Sequence, residues 1–420
     1  MQKKVNNSKV INFGCRLNSY ESEVIKSILK KNKINNKIVI NSCAVTNEAE
    51  KQVQQSIRKL AKENPKMDII VTGCAAQINP EKYLSIKGVK KIIGNNDKIK
   101  NETWINLLEN KKYEIENIFD AKNTNNNIVE NFDGKARAYV EIQQGCNHRC
   151  TFCIIPYGRG NNRSVPINII IERIKKLVNN GYKEIVLTGV DITDYGRDFS
   201  FKTSLSKIIK EILITVPELN QLRLSSIDCA EIDDEFWDLI QFEERLMPHL
   251  HISLQSGNDL ILKRMKRRHT RKQAIDFCLK AKKLRPNIVF GADLIAGFPT
   301  ETEEMFNNTY SLISECNLTY LHIFRYSQKN GTPAAKMPQV SNEIKKTRAK
   351  LLRDLGEKQL SNYLETLIGK EKIVLIEKNF ENYSVGKTQE YAPIRIEKKL
   401  NEGELFKLPI KSINNNLLLA

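Results

Sequence analysis

Three cysteines stand close together in the run CNHRCTFC, at Cys146, Cys150 and Cys153. Their C-x3-C-x2-C spacing puts three thiolates on one short loop, a ligand set suited to an iron–sulfur cluster. Three protein ligands on a four-iron cluster leave one iron open. A small molecule can coordinate there and receive an electron. The competing assignment is a zinc knuckle with a fourth ligand elsewhere, such as His148. The loop follows the apolar run ARAYVEIQQG, which reads as a strand, and Phe152 sits just before the last cysteine.

Three further cysteines are far apart in sequence but alike in setting. Cys15 follows the strand-like run KVINF (9–13) by one glycine. Cys43 follows KIVIN (37–41) by one serine, and Cys74 follows DIIVT (68–72) by one glycine. Helical patterns, YESEVIKSILKK and NEAEKQVQQSIRKLAKEN, separate these runs, and Thr46 is a good N-cap for the second. Strand, helix, strand at this spacing implies a parallel sheet. All three cysteines then share its carboxyl edge, where open α/β sheets bind ligands. Three separately buried cysteines are the plain alternative. Their shared position in three successive units favours a second thiolate site with an open iron.

The elements that must position these residues fall into successive blocks. Residues 1–120 form the N-terminal open parallel-sheet domain, and the Asn-rich run AKNTNNNIVENFDG (121–134) is a linker. Six β/α units follow in 135–341, with strands at 138–143, 184–189, 222–226, 250–255, 289–297 and 320–324. They predict a partial (β/α)6 barrel whose active face is the carboxyl edge of its strands. Pro166 suits the first turn of the helix between the first two strands. CNHRCTFC lies just after the first strand, on that face. Residues 342–420 begin with a basic helix (342–365) and end in alternating apolar and polar runs that fit a small antiparallel β-barrel. The fold class is α/β.

The formal net charge is +18, which points to a polyanion partner such as a nucleic acid. Biased use of Lys, Asn and Ile is the blander source of that charge. No run approaches the roughly 18 apolar residues of a membrane helix. The start, MQKKVNNSKVINF, has no signal-peptide apolar core, so a cytoplasmic protein off the membrane is expected, as a monomer. Nine cysteines in so long a chain without that signal argue for metal or catalytic use over a disulfide framework. Cys229, Cys278 and Cys316 lie outside both motifs and read as buried or incidental. Two features suit RNA. The run KRMKRRHTRK (263–272) offers phosphate contacts, or is a solvated helix end. Phe380, Tyr383, Lys387, Tyr391 and Arg395 interleave aromatics with charge as stacking surfaces do, or as a small core does.

The cysteine loop opening a six-unit barrel resembles the radical S-adenosylmethionine enzymes. The three-cysteine domain in front of it resembles the methylthiotransferases among them. The strings GCRLNSYES, NSCAVTNEAEK, VTGCAAQ, QGCNHRCTFCIIPYGRG, HISLQSGND and DLIAGFPTETEE are similar to the branch that methylthiolates threonylcarbamoyladenosine beside the tRNA anticodon. The likeness is dense from residue 9 to about 340 and weaker over the tail, which looks like the family's TRAM-like RNA-binding barrel.

The resemblance implies two 4Fe-4S clusters. Cys146, Cys150 and Cys153 would hold the catalytic one, whose open iron chelates S-adenosylmethionine. Cys15, Cys43 and Cys74 would hold an auxiliary one carrying the sulfur to be transferred. It also implies a tRNA substrate and an electron donor. Thr188, Gly189, Asp191, Ser226, Gln255 and Gly297, with Phe298, sit at strand ends where they could contact the cofactor. Gly145, Gly158 and Gly160 would give the cluster loop its backbone freedom. Other substrates within the resemblance are isopentenyladenosine in tRNA and an aspartate of a ribosomal protein. Outside it stand a non-catalytic two-cluster electron carrier and a zinc-dependent RNA-binding module.

Overall fold

The computed structural model describes residues 7–107, 113–122, 124 and 127–420. Residues 1–6 at the chain start and 123, 125 and 126 of the linker lie outside the described residues, as do 108–112. The N-terminal sheet has five parallel strands in sequential order: β1 (Lys9–Asn12), β2 (Lys37–Ser42), β3 (Asp68–Gly73), β4 (Val89–Ile93) and β5 (Tyr113–Glu114). The sequence reading stops at β3. In β4 the pair Lys90 and Lys91 breaks the apolar run, although Lys91 is buried.

Helix α1 (Arg16–Lys31) follows β1, and α2 (Asn47–Glu63) follows β2. As expected, Thr46 caps α2, its Oγ1 accepting from Ala49 N at 3.1 Å. Tyr20, Val24 and Ile28 recur at helical spacing on α1. They belong to one core with Ala138, Val140 and Ile142 of the barrel. The N-terminal unit is therefore packed onto the barrel through shared apolar side chains. A second core, with Ile38, Ile40, Val53 and Ile57, holds α2 on the other face of the sheet.

The barrel strands are β6 (Arg137–Glu141), β7 (Glu184–Thr188), β8 (Gln221–Leu224), β9 (His249–Gln255), β10 (Val289–Ala296) and β11 (Leu318–Arg325). All neighbours run parallel. The third strand breaks at Ser225; its continuation Ser226–Ile227 pairs with β9 and joins the two halves of the sheet. One face of each strand packs beneath helices, through side chains such as Leu250, Ile252, Leu254, Ala292 and Leu294. The opposite face is polar: Arg137, Glu184, Arg223, His249, His251 and Asp293. The expected partial (β/α)6 barrel is present, with a hydrophilic interior.

A 24-residue helix, α5 (Asn342–Glu365), leads to the C-terminal sheet. Its strands are β12 (Glu371–Asn379), β13 (Ser384–Thr388), β14 (Pro393–Ile396), β15 (Leu405–Pro409), β16 (Ser412–Asn414) and β17 (Leu417–Leu419). Pairing is antiparallel apart from β14 with β17. Val374, Ile376, Ile394, Ile396 and Leu418 fill its core.

This sheet closes the bottom of the barrel. Tyr391 stacks on His249 at 5.1 Å, with Lys387 Nζ 3.6 Å from its ring centroid and Arg223, Arg137 and Arg16 at 4.8, 5.4 and 5.9 Å. Arg223 also donates to Gln389 O at 3.0 Å, and Arg137 pairs with Glu377. Lys387 and Tyr391 are thus committed to the barrel interior, not to the open stacking surface that the sequence suggested. Among the described residues no helix is long and apolar enough to cross a membrane.

Candidate active site

Cys15, Cys43 and Cys74 end the first three strand units, on adjacent strands of one sheet. Gly73 takes φ +95°, and a Cβ there would lie 2.3 Å from Ser42 O. Only glycine lets β3 turn this tightly beside β2 and deliver Cys74 to the edge. Burial pushes the Cys43 thiol up to about 11, and the neighbouring Cys74 and Cys15 raise it further. Such a group becomes a thiolate only when a cation takes the proton's place.

The second triplet lies on the loop after β6. Gly145, at φ +68°, has no room for a side chain, since a Cβ would sit 1.8 Å from Asn161 O. The loop closes through Cys146 N donating to Gly160 O at 3.0 Å and Cys153 N donating to Cys150 O at 3.0 Å. Thr151 pins its tip, donating from N to Met265 O at 3.1 Å and from Oγ1 to Arg264 O at 2.7 Å. Burial raises the Cys146 and Cys153 thiols, the latter to about 12. His148 sits 3.2 Å from Asp191 and 3.7 Å from Glu231. Their carboxylates push it up to about 9. Its Nε2 is engaged by these two carboxylates, so His148 already has partners apart from the thiols. The donor set left is cysteine alone, which fits iron–sulfur ligation.

The triplets meet through a short helix. Helix α4 (Ile155–Arg159) begins two residues after Cys153 and rests on α3 (Cys74–Ile78). A Cβ on Gly158 would come within 3.3 Å of the Cys74 Cα, so the close approach explains this glycine better than loop freedom does. Arg159 Nε donates to Cys74 Sγ at 3.2 Å, and Arg267 Nη1 to Cys150 Sγ at 3.9 Å. Each triplet is faced by one guanidinium, which offsets the negative charge that thiolates bring.

Arg159 anchors a buried network that sequence reasoning missed. Its guanidinium donates to Glu21 Oε1 at 2.5 Å and Oε2 at 3.0 Å, to Asn18 Oδ1 at 2.5 Å and to Gln144 Oε1 at 2.9 Å. Lys98 Nζ reaches Glu21 at 2.6 Å from the other side. Burial alone would raise Glu21, but Arg159 and Lys98 hold it down at about 2. Gln144 Nε2 donates both to Glu21 at 3.0 Å and to Glu141 at 3.1 Å. Burial pushes Glu141 up to about 7, so two neighbouring acids titrate far apart. The available signal was the spacing of Asn18 and Glu21 after Cys15, and an arginine between the glycines of the second loop.

Two family descriptions fit the chain: "Radical SAM superfamily" over residues 140–313 and "Uncharacterized protein family UPF0004" over residues 7–94. The threonylcarbamoyladenosine tRNA methylthiotransferase MtaB of Rickettsia prowazekii is 49% identical over 98% of this chain and 96% of its own length. The chain belongs to the radical SAM methylthiotransferase family. The methylthiotransferase is also 33% identical to the tRNA-2-methylthio-N(6)-dimethylallyladenosine synthase of Ehrlichia canis, over 77% of this chain and 75% of that one. Its fold is similar to that of the radical S-adenosylmethionine methyltransferase TsrM from Kitasatospora setae, solved with cobalamin and a [4Fe-4S] cluster. That match has TM-score 0.58 and 11% identity, over 79% of this chain and 74% of the other.

The other strand-end residues of this methylthiotransferase vary in setting. Asp191 stands beside the cysteine loop through His148 and accepts from Thr193 Oγ1 at 2.6 Å. Thr188 is buried, its carbonyl accepting from Ile142 N at 2.9 Å. A Cβ on Gly189 would lie 2.7 Å from Gln143 Oε1, and one on Gly297 would lie 2.4 Å from Lys345 Cγ; packing dictates both glycines. Ser226 pairs with His251, and Gln255 ends β9 at φ +70°. Phe298 is fully buried, edge-on to Phe152 of the cysteine loop at 6.5 Å.

The basic run 263–272 is divided, its arginines bonded to protein partners and its lysines exposed. Arg264 donates to Thr300 at 2.7 Å, Arg267 to Asp228 at 2.8 Å, Arg268 to Asp228 at 3.1 Å, and Arg271 to Gly257 O at 2.9 Å. Its exposed cations are Lys263, Lys266 and Lys272, alongside a half-exposed Arg268. On the C-terminal sheet, Phe380 and Tyr383 stack at 4.6 Å, with Arg395 4.0 Å from the Tyr383 ring and Lys378 5.1 Å from that of Phe380. Cys278 and Cys316 are buried and Cys229 is half-buried.

Proposed function

We propose that this protein methylthiolates threonylcarbamoyladenosine next to the tRNA anticodon, placing sulfur and a methyl group on adenine carbon 2. The observation that carries the reading is the seating of Cys74 on the helix that follows Cys153, which brings two cysteine triplets from separate parts of the chain together. The 49% identical relative is named for this substrate. Cys146, Cys150 and Cys153 would hold the catalytic 4Fe-4S cluster with S-adenosylmethionine, and Cys15, Cys43 and Cys74 the auxiliary cluster. When bound, these groups supply the radical chemistry and the sulfur, which side-chain acids and bases cannot supply against a strong, non-acidic C–H bond.

The chain's own residues bind and orient. Arg159 and Arg267 offset thiolate charge at one sulfur of each triplet. Asp191 presents a carboxylate beside Cys146, suited to the cofactor's amino group. Thr188, Gly189, Ser226, Gln255 and Gly297 form the rim against which the cofactor would lie. Tyr391 seals the barrel from beneath and limits water entry from that side. Phe380, Tyr383 and Arg395 give RNA a stacking surface, with the excess positive charge behind it.

The corresponding division of the chain is 1–120 for the auxiliary cluster, 121–134 as linker, 135–341 for the radical core and 342–420 for RNA. The protein acts as a monomer in the cytoplasm, where its tRNA and a separate electron donor reside. Mass spectrometry of tRNA nucleosides from a strain lacking the gene tests the reading. Loss of the methylthio form of threonylcarbamoyladenosine is expected. Loss of the isopentenyl product instead would refute the substrate.

A further inference from the structure

A polar layer lies above the Tyr391 floor, on the concave face of the barrel. His251 on β9, Asp293 on β10 and His322 on β11 contribute one side chain each. His251 Nε2 lies 3.0 Å from Asp293 Oδ1, and His322 Nδ1 lies 3.4 Å from the same oxygen. The two imidazole centroids are 4.7 Å apart. Burial would raise the Asp293 carboxyl, but the imidazoles hold it well below the usual range, so it stands as an anion between two rings.

The two histidines differ in access. The His251 side chain is 8% exposed, and its Nδ1 would be 2.6 Å from a Cβ on Gly291. The His322 side chain is 60% exposed. With Nδ1 turned to Asp293, its Nε2 is the nitrogen left for a ligand. Phe324 lies two residues further along the same strand face and is also exposed. Nearby cations are already paired: Arg325 with Glu48 at 3.0 Å, Lys329 with Glu50 at 2.7 Å, and Arg267 with Asp228 at 2.8 Å.

The substituent of the proposed substrate ends in a carboxylate and a hydroxyl; an isopentenyl group has neither. It hangs on the adenine ring carbon meta to carbon 2. With carbon 2 toward the cysteine edge, the substituent leaves the ring 120° around from it and can be directed to the barrel interior. An exposed imidazole braced by a carboxylate is a suitable donor for an anion there. We propose that His322, oriented by Asp293, binds the carboxylate of the threonylcarbamoyl group and thereby selects this substrate. His322 is then a specificity residue, held at Nδ1 by Asp293 and presenting Nε2 to the RNA; pairing with the carboxylate there takes the ring with both nitrogens protonated, between two anions. The inference rests on the substrate reading above.

The test uses holoenzyme with both clusters and two anticodon hairpins, one bearing threonylcarbamoyladenosine and one its carboxamide. Binding is measured by fluorescence anisotropy, and methylthio product by mass spectrometry. The native enzyme should bind the acid about tenfold more tightly than the carboxamide, the scale of one charge-assisted hydrogen bond. His322→Gln and His322→Ala should erase that preference, raising KM for the acid hairpin more than they lower kcat. Cluster absorbance equal to that of the native protein confirms that the variants are folded. Equal binding of both hairpins by the native enzyme, or an unchanged preference in His322→Ala, overturns the proposal. A preference erased by the substitutions, with no methylthio product from native enzyme, would uphold the site and refute the reaction. Turnover of an isopentenyl hairpin in place of the acid would remove both.

Discussion

Replacing Arg159 with methionine removes one arm of the most deeply buried ion network in the site. Arg159 is 2% exposed, Glu21 is fully buried, and the pair is bidentate at 2.5 and 3.0 Å. Leaving one member of such a pair behind costs about 3–5 kcal/mol. Lys98 still neutralises Glu21 from 2.6 Å, which places the expected loss near the lower end, about 3 kcal/mol. Trp104 is a built-in reporter, since its Nε1 donates to Lys98 O at 2.7 Å in the same region. Urea unfolding followed by its emission, in a Trp237→Phe background and under anaerobic conditions, reads the effect. Glu21→Gln combined with Arg159→Met should be less harmful than the sum of the single changes, because no uncompensated carboxylate remains. A single Arg159→Met variant within about 1 kcal/mol of the native protein would refute the network's role, as would simple additivity in the double variant.

Cys150→Ala should abolish reductive cleavage of S-adenosylmethionine, read as deoxyadenosine, whereas Cys43→Ala should leave cleavage largely intact and stop methylthio product. Gly145→Ala forces a Cβ to 1.8 Å from Asn161 O at φ +68°, so the variant should lose the iron of one cluster and retain the other, measured by iron and sulfide analysis. Glu141 holds its proton up to about 7 in the fold, against an ordinary value of 4.5. The native state then binds a proton that the unfolded chain has released, so stability falls as pH rises through that window, by about 1.4 kcal/mol per unit at most. The unfolding midpoint of Glu141→Gln should lose less over that window than the native protein's does, and a native midpoint that falls no more steeply than the variant's would contradict this. Phe380→Ala should weaken hairpin binding by about 1–3 kcal/mol if one base stacks there, measured by anisotropy.

The cysteines and strand ends were legible because spacing and period-two alternation are local properties. The placement of Cys15, Cys43 and Cys74 on one sheet edge followed from three repeated strand–helix units. The arginines were not legible. Arg159 and Glu21 are 138 residues apart, and nothing local marks their pairing. The run 263–272 had the composition of a phosphate-binding stripe. Its arginines nonetheless take protein partners, because Asp228 and the carbonyl of Gly257 come within reach only in the folded barrel. Alternating aromatics and cations in the C-terminal sheet suit a core, an RNA surface or a plug equally well. The structure divides them: Phe380, Tyr383 and Arg395 on one side, Lys387 and Tyr391 on the other.

The tyrosine lodged among three guanidiniums makes the C-terminal sheet a stopper as well as an accessory. Removing everything after residue 341 would do more than weaken nucleic-acid affinity, because Arg16, Arg137 and Arg223 would lose their aromatic neighbour at once. Solvent could then enter the chamber from underneath, where a reactive intermediate has least protection. Exchanging tails between relatives would succeed only if the incoming piece brought a matching ring, or if the receiving barrel surrendered its cations.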